Sequence, residues 1–392
     1  MPVEHSQLKR FLEELANALD IPKSRHEQAR QRYQAIGDWL GEEESPLAPY
    51  EPEIYPQGSF RLGTVVKPLS EADEYDIDLV CELRLGKNQV SQKQLKDMVG
   101  DRIKANETYR RMLDEEEGRR CWTINYADGA QFHMDILPAI PDDEVYRQLL
   151  VAHGVPRDQA QKAISITDNT LPNFERLDQD WPRSNPRGYA DWFKSRMQVR
   201  FDARLRALAE SMKADVEDVP EYQIKTPLQR AVQVLKRHRD MAFSKDKDDK
   251  PISIIITTLA AHAYNNEDDL LEALRSLVDN MSEYIEQRGG QAWVPNPVNP
   301  LENFADKWQE HPQREKKFRS WLSTVKADLN AALSQADTKA LGEALTPRFG
   351  GRVVNEAISN AGLMAAAVAA PSPAVPHVEI KNPNKPWGKN DQ

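Results

Sequence analysis

Cysteine is almost absent from this sequence. Its 392 residues include only Cys81 and Cys121, which are far apart and lack the spacing of metal ligands. This scarcity argues against a disulfide framework and a zinc site, and it is typical of proteins that fold in a reducing compartment. No run of about 20 apolar residues is present, as a spanning helix requires. The N-terminus has charged residues where a secretory signal would be apolar. The sequence therefore predicts a cytoplasmic protein with no membrane partner.

An excess of basic charge is also lacking. Lys and Arg number 52 against 62 Asp and Glu, which gives a formal net charge of -10. A chain this acidic is a poor general binder of nucleic acid, although a local basic groove is compatible with it. Hydrophobic residues make up 40% of the chain, enough for a sizeable core. We expect a globular protein that uses no nucleic acid template.

The spacing of apolar residues changes along the chain. The first forty residues have helical spacing, three β-like segments follow at 76–83, 121–126 and 131–137, and helical spacing returns from about 217. The last 27 residues, 366–392, are rich in Ala, Pro, Asn and Lys, a composition typical of a mobile tail. The pattern predicts an α+β fold, with a core at 1–215, a helical lobe at 216–365 and a flexible tail at 366–392.

Three acidic residues stand out on the β-like segments. Asp76 and Asp78 share one face of a strand because strand side chains alternate, while Ile77 lies on the other face. Asp135 occupies a similar position on a later strand. Carboxylates crowded on one face repel each other unless a cation lies between them, and hard oxygen ligands suit Mg²⁺. Three such acids can hold two cations about 4 Å apart, the arrangement used for phosphoryl transfer.

A Gly-Ser pair precedes these acids. Gly58 at a strand end would let the backbone approach a ligand closely, and the residues after it can begin a helix whose N-terminus attracts phosphate. The Ser59 hydroxyl adds a donor. The lysine and the glycine spacing of a Walker motif are absent, so this is not a P-loop. Each element alone is usually a turn or an exposed polar face, whereas the ordered combination is far more specific.

The combination resembles the signature of the nucleotidyltransferase superfamily. Within it, residues 55–68, 74–80 and 133–138 look like the bacterial cGAS/DncV-like nucleotidyltransferases, which synthesise cyclic oligonucleotide messengers in anti-phage (CBASS) operons. Residues 185–193, 231–240 and 299–304 extend the resemblance. It implies a polymerase-β-like palm, an N-terminal helix that braces two lobes, and a helical second lobe beyond the active site.

The resemblance also assigns roles to residues. It implies that Asp76, Asp78 and Asp135 bind two Mg²⁺ ions, with Mn²⁺ as an alternative, and that Ser59 contacts phosphate. Lys236 resembles the family lysine that contacts the triphosphate, and Ser253 the serine that binds phosphate from the opposite helix. From the sequence alone, the alternatives are that Lys236 belongs to a solvated basic face and that Ser253 is only a helix cap.

Weaker candidates surround these residues. His133 shares a strand face with Asp135, so it would lie near the metals or simply pack beside them. Arg61 could approach phosphates. A basic-aromatic loop with Arg183, Arg187 and Tyr189 could hold a nucleobase by stacking, although lid packing by Tyr189 and Trp192 is the better explanation.

The activity implied is synthesis of a cyclic oligonucleotide from nucleoside triphosphates, ATP and possibly GTP. We expect an adenine-containing cyclic di- or trinucleotide that acts in anti-phage signalling. Two alternatives stay open: an enzyme with a linear product, of the oligoadenylate synthetase or RNA tailing type, and a catalytically silent protein that binds nucleotide or a partner. The acidic charge disfavours the RNA-dependent type.

The C-terminal tail suggests a protein partner. Trp387 lies between proline and glycine. An exposed tryptophan is costly in a simple linker, but it is useful as an anchor that binds a partner protein. The resemblance implies accessory proteins of the HORMA-domain or ubiquitin-transfer-like type. We predict that the tail is a docking peptide, the alternative being that it folds back on its own chain.

Overall fold

One mixed sheet carries the predicted acidic residues. The computed structural model describes residues 5–70, 75–126, 132–213, 223–335 and 337–363, within which this sheet has six strands. They are β1 (Glu53–Pro56), β2 (Tyr75–Glu82), β3 (Trp122–Asn125), β4 (Phe132–Pro141), β5 (Ile164–Ile166) and β6 (Arg183–Ser184). The order is β1-β2-β4-β5-β6, and β3 pairs with β4. β2 and β4 are parallel, and the other pairs are antiparallel.

Helices form most of the remaining described chain. Those up to residue 213 are α1 (His5–Leu19), α2 (Lys23–Gly41), α3 (Gly58–Leu62), α4 (Gln92–Ala105), α5 (Glu107–Met112), α6 (Glu144–Ala152), α7 (Arg157–Ala160) and α8 (Pro186–Met212). Those after it are α9 (Pro227–Ala242), α10 (Ser253–Ala263), α11 (Leu270–Asn280), α12 (Lys307–Glu310), α13 (Pro312–Leu333), α14 (Thr338–Phe349) and α15 (Gly351–Asn360). Two small antiparallel pairs lie between them, β7 (Glu286–Arg288) with β8 (Gln291–Trp293) and β9 (Pro295–Asn296) with β10 (Asn299–Asn303).

Two hydrophobic cores meet at the break between α1 and α2. α1 buries one face, including Leu8 and Phe11, among helices of the C-terminal half. α2 instead buries Ile36 and Leu40 in the core shared with the sheet and α4. The break follows from Pro22, whose ring would clash inside a continuous helix. One N-terminal segment therefore contacts both lobes.

The structure confirms the predicted α+β class and the element types. β2, β3 and β4 correspond to the three predicted strand segments, and α9 begins at Pro227 behind a Thr226 capping box. The boundaries at 215/216 and 365/366 fall in stretches outside the described residues, so that division stays a prediction. None of the described helices is long and apolar enough to cross a membrane.

Candidate active site

The three predicted acids lie on two directly paired strands. Asp78 on β2 pairs in register with Asp135 on β4, and Asp76 pairs with His133. Ile77, between the two aspartates, is buried in the sheet core, so the acids occupy the opposite face, as strand alternation predicts. The crossover between β2 and β4 thus brings together carboxylates that are 57 residues apart in sequence.

Two neighbouring side chains hold the outer acids. His133 Nε2 lies 2.7 Å from Asp76 Oδ1. Thr123 Oγ1 on β3 donates to Asp135 Oδ1 at 2.6 Å. Each contact engages one oxygen of its carboxylate. His133 therefore lies beside the acids, as the strand pattern suggested, whereas nothing in the sequence pattern pointed to Thr123.

The electrostatics of this face fit a divalent cation. Burial, together with the negative charges of Asp135 and Asp76, raises the pKa of Asp78 to about 6. A bound metal ion would offset the negative charge that the three acids concentrate on this face. In the part of the chain that the structure describes, no three metal-binding side chains yet converge on one point. The donor chemistry fits Mg²⁺ without forming a closed cage.

Gly58 and Ser59 lie against the acids. β1 leads into α3 through Gly58, whose φ of 61° lies in the left-handed region that glycine tolerates. The Gln57 amide donates to the carbonyl of Asp78 at 2.8 Å, which fixes the turn beside β2. A Cβ on Gly58 would approach Asp78 Oδ2 to less than 3.0 Å, so only glycine fits here. The predicted glycine at a strand end, with a helix after it, is confirmed.

Lys236 is buried beneath the segment that follows α3. This residue of α9 is only 6% exposed. Its Nζ donates to the carbonyl and the hydroxyl of Thr64 at 3.0 and 3.2 Å. Burial, reinforced by the charge of Arg239, lowers the pKa of Lys236 to about 7. Arg237 and Arg239 are buried too. The alternative of a solvated basic face is therefore wrong.

Lys236 belongs to a row of donors that hold the loop after α3. We call this row the carbonyl clamp. Its four bonds run from Gln229 to Leu62, Lys225 to Gly63, Lys236 to Thr64 and Gln233 to Val65, at 3.0, 3.1, 3.0 and 2.7 Å. Four consecutive backbone carbonyls are thus satisfied by side chains of α9 and the residue just before its cap. The clamp ties the segment that carries Ser59 to the helical lobe.

Ser253 is held by Arg239. It is the first residue of α10 and follows the N-cap residue Ile252, so Ser253 is not the N-cap that the alternative supposed. Arg239 donates to Ser253 Oγ at 2.9 Å and to the carbonyl of Pro251 at 3.0 Å. Because guanidinium only donates, the hydroxyl hydrogen of Ser253 is left available for an acceptor. Arg239 was not recognised from the sequence.

The basic-aromatic loop has a packing role. Tyr189 is buried, and its hydroxyl lies 2.8 Å from Thr258 Oγ1 in α10. Arg187 pairs with Glu53 and Glu82 at the edge of the sheet. Both residues lie at the start of α8 rather than in a loop. The ring of Tyr189 also lies 5.3 Å from that of Trp192, which fits the predicted lid packing by these two residues, whereas Arg187 is held by ion pairs.

Comparison with known proteins decides the family. Residues 52–138 match the family model described as the nucleotidyltransferase domain of cyclic GMP-AMP synthase DncV-like proteins. A c-di-GMP synthase of Roseivirga ehrenbergii is 31% identical over 322 residues, which cover 82% of this chain and 78% of that protein. The chain belongs to the cGAS/DncV-like nucleotidyltransferase family. It is therefore a nucleotidyltransferase enzyme with a polymerase-β-like fold.

Other members extend the likeness over most of the chain. The cyclic dinucleotide synthase CdnG of Bradyrhizobium diazoefficiens is 28% identical, over 90% of this chain and 82% of that protein. Its solved structure in complex with GTP has a TM-score of 0.67 at 26% identity, covering 90% of this chain and 98% of that chain. The CdnC:HORMA-deltaN complex of E. coli MS115-1 gives 0.62 at 13% identity, over 89% and 97%, which supports the fold alone.

Proposed function

We propose that this nucleotidyltransferase joins two nucleoside triphosphates into a cyclic dinucleotide. The observation that carries the proposal is the pairing of Asp78 with Asp135, with Gly58 packed against Asp78. This arrangement suits transfer of a nucleotidyl group, because the paired acids lie beside a glycine turn that begins a helix. Both curated relatives are named as cyclic dinucleotide synthases, which favours a cyclic product.

Each site residue has a proposed role. Asp76, Asp78 and Asp135 would hold Mg²⁺ or Mn²⁺, which when bound neutralises the triphosphate and stabilises the leaving pyrophosphate. Asp135 would accept the proton of the attacking ribose hydroxyl. Ser59 and Ser253 would donate hydrogen bonds to phosphate oxygens, and Lys236 of the carbonyl clamp would supply positive charge nearby. Positioning of the two nucleotides would provide most of the remaining rate enhancement.

We propose guanine as the base. One relative is named a c-di-GMP synthase, and CdnG is solved in complex with GTP. These two relatives favour a guanine-containing cyclic dinucleotide as the product of this chain. The adenine-containing product expected from the sequence stays a prediction, and it is the competing outcome of the experiment below.

Product analysis tests the reaction and the base together. The protein is incubated with Mg²⁺ and each triphosphate alone or in pairs, treated with phosphatase, and the products are identified by mass spectrometry. A phosphatase-resistant product of mass equal to cyclic di-GMP, formed from GTP alone, is expected. Linear products with removable terminal phosphates would favour the oligoadenylate synthetase or tailing type, and no product under any condition would favour the silent protein.

The cellular role is part of the proposal. We propose cytoplasmic anti-phage signalling with a HORMA-type accessory protein, and a CdnC:HORMA complex exists for a protein of the same fold. The predicted docking peptide, 366–392 with Trp387, lies outside the described residues. Deleting 372–392 is expected to preserve triphosphate binding and to abolish binding of the accessory protein. A loss of several degrees in Tm would instead support the tail as part of the fold.

A further inference from the structure

A cavity of about 620 Å³ lies behind the segment that carries Ser59. It is lined by the break between α1 and α2, by α3 and the residues after it, and by α8 and the start of α9. We call it the hinge cavity. Asp76, Asp78 and Asp135 do not line it, although α3 contributes Phe60 and Arg61. The volume lies within the range of pockets that hold small organic ligands.

The charge of the lining favours an anion. Six basic residues line the hinge cavity: Lys23, Arg30, Arg61, Lys194, Lys225 and Arg230. The two acidic residues of the lining, Asp20 and Asp191, already have cationic partners. Asp20 lies 3.1 Å from Lys225 Nζ, and Asp191 pairs with Lys162. Lys225 and Arg230 share Asp20, and Arg30 pairs with Glu27. The lining as a whole still has more basic than acidic side chains, which favours an entering anion.

The lining also includes several aromatic side chains. Phe60 on α3 stacks with His26 on α2, with ring centroids 4.6 Å apart. Tyr33 lies edge-on to Phe60, and Phe193 and Phe201 of α8 form part of the opposite wall. Aromatic walls with cationic groups around them suit a ligand that has both a planar ring and negative charge.

We propose that the hinge cavity binds a nucleotide at a second site, separate from the three aspartates. The ligand class is an organic anion with a planar base and at least two phosphate charges. A nucleotide bound there would contact α2 of one lobe and α8 of the other. It would also contact Lys225 and Gln229 of the carbonyl clamp, which hold Gly63 and Leu62. Occupancy of the cavity is thus coupled to the position of α3.

The test measures binding without catalysis, so its outcome does not depend on whether the proposed reaction is correct. The full chain with Asp76→Asn and Asp78→Asn is titrated calorimetrically in EDTA with GTP, with cyclic di-GMP and with inorganic pyrophosphate. At least one of the two nucleotides is expected to bind one to one, and pyrophosphate at least tenfold more weakly. Equal binding of pyrophosphate, or no nucleotide binding, would overturn the proposal.

Charge reversal locates the site. Arg61→Glu and Lys194→Glu, each added separately to the same chain, are expected to weaken nucleotide binding at least tenfold. Arg110→Glu and Lys316→Glu, which alter exposed residues outside the cavity, make the same charge change and are expected to leave affinity within twofold. Ser253→Ala, which alters a proposed phosphate-binding residue outside both the cavity and the carbonyl clamp, serves as the active-site control and is expected to retain the metal-independent binding. Thermal unfolding confirms that each variant is folded. Affinity that drops with Ser253→Ala but not with the two cavity variants contradicts the second site.

Discussion

Gly58 and Asp78 are so close that no side chain fits between them. A Cβ on Gly58 would approach Asp78 Oδ2 to less than 3.0 Å, and the φ of Gly58 is 61°. The turn that precedes Ser59 is thus shaped directly against an acidic residue of the candidate metal site. The Gly-Ser turn and the strand with Asp76 and Asp78 therefore pack as one unit, and a change in the position of one would move the other.

Gly58→Ala is therefore expected to displace Asp78 and to lower turnover at least about 100-fold, the effect of a misplacement near 1 Å. Gly289→Ala is the matched control. Its φ of 58° imposes the same left-handed strain of about 1–2 kcal/mol, but the described residues leave open space around it. Both variants should lose stability in urea, Gly58→Ala more because of its clash with Asp78, and only Gly58→Ala should lose activity. Equal activities would show that the close approach to Asp78 is unimportant.

Lys236 is expected to take up a proton when a triphosphate binds. Burial lowers its pKa to about 7, so at pH 8 most of the free protein has a neutral Lys236. A phosphate nearby favours the ammonium form and raises the pKa, which draws a proton from the buffer. Calorimetry at pH 8 in buffers of different ionisation enthalpy measures this uptake, and it should vanish at pH 6, where the amine is already charged.

The same group affects stability with a definite sign. Because its folded pKa lies below the usual 10.5, the unfolded chain binds more protons between pH 7 and pH 10.5. Lys236 therefore makes the free energy of unfolding rise with pH across that window. Lys236→Ala should remove both the proton uptake and about 1.5–3 kcal/mol of triphosphate affinity. Unchanged affinity would confine Lys236 to the carbonyl clamp.

Thr123 is expected to position Asp135. Thr123→Val keeps the shape of the side chain but removes the 2.6 Å hydrogen bond to Asp135 Oδ1. Loss of such a supporting bond typically costs about 10–100-fold in metal affinity or activity. Titration of activity with Mg²⁺ should show a higher metal requirement for Thr123→Val and recovery in Thr123→Ser. A normal metal requirement in both variants would assign Thr123 to packing.

Arg239 and Ser253 are expected to act as one unit. Arg239→Lys keeps the charge but cannot reproduce the bonds to Ser253 Oγ and the carbonyl of Pro251. It should raise the KM for triphosphate, as should Ser253→Ala. In the double variant the effects should not add, because the second change removes an interaction already lost. Strict additivity would mean that Arg239 does not act through Ser253.

Much of this site follows from local rules. Strand alternation correctly placed Asp76 and Asp78 on one face, and the glycine before Ser59 correctly marked the turn from β1 into α3. Both features depend on a few neighbouring residues and on backbone geometry. The pairing of Asp78 with Asp135 required one further assumption, that the two strands are neighbours in the sheet.

The support of the site depends on tertiary contacts that the sequence does not reveal. Gln229 and Gln233 are ordinary polar residues of a helix until α9 packs against the carbonyls of Leu62 and Val65, more than 160 residues away in sequence. The alternative of a solvated face for Lys236 stayed open for the same reason. A basic run on a helix cannot be assigned to the interior unless the groups that satisfy its charges are known.

Product formation by the double variant Asp76→Asn with Asp78→Asn tests the central claim most directly. The change keeps the shape of both side chains but removes most of the charge that would hold Mg²⁺. Asp101→Asn with Asp248→Asn, two exposed acids elsewhere, makes the same change in net charge. With circular dichroism showing that both variants are folded, we expect no cyclic dinucleotide by mass spectrometry from the first and normal product from the second. Near-normal product from the first would contradict the proposed role of the acids.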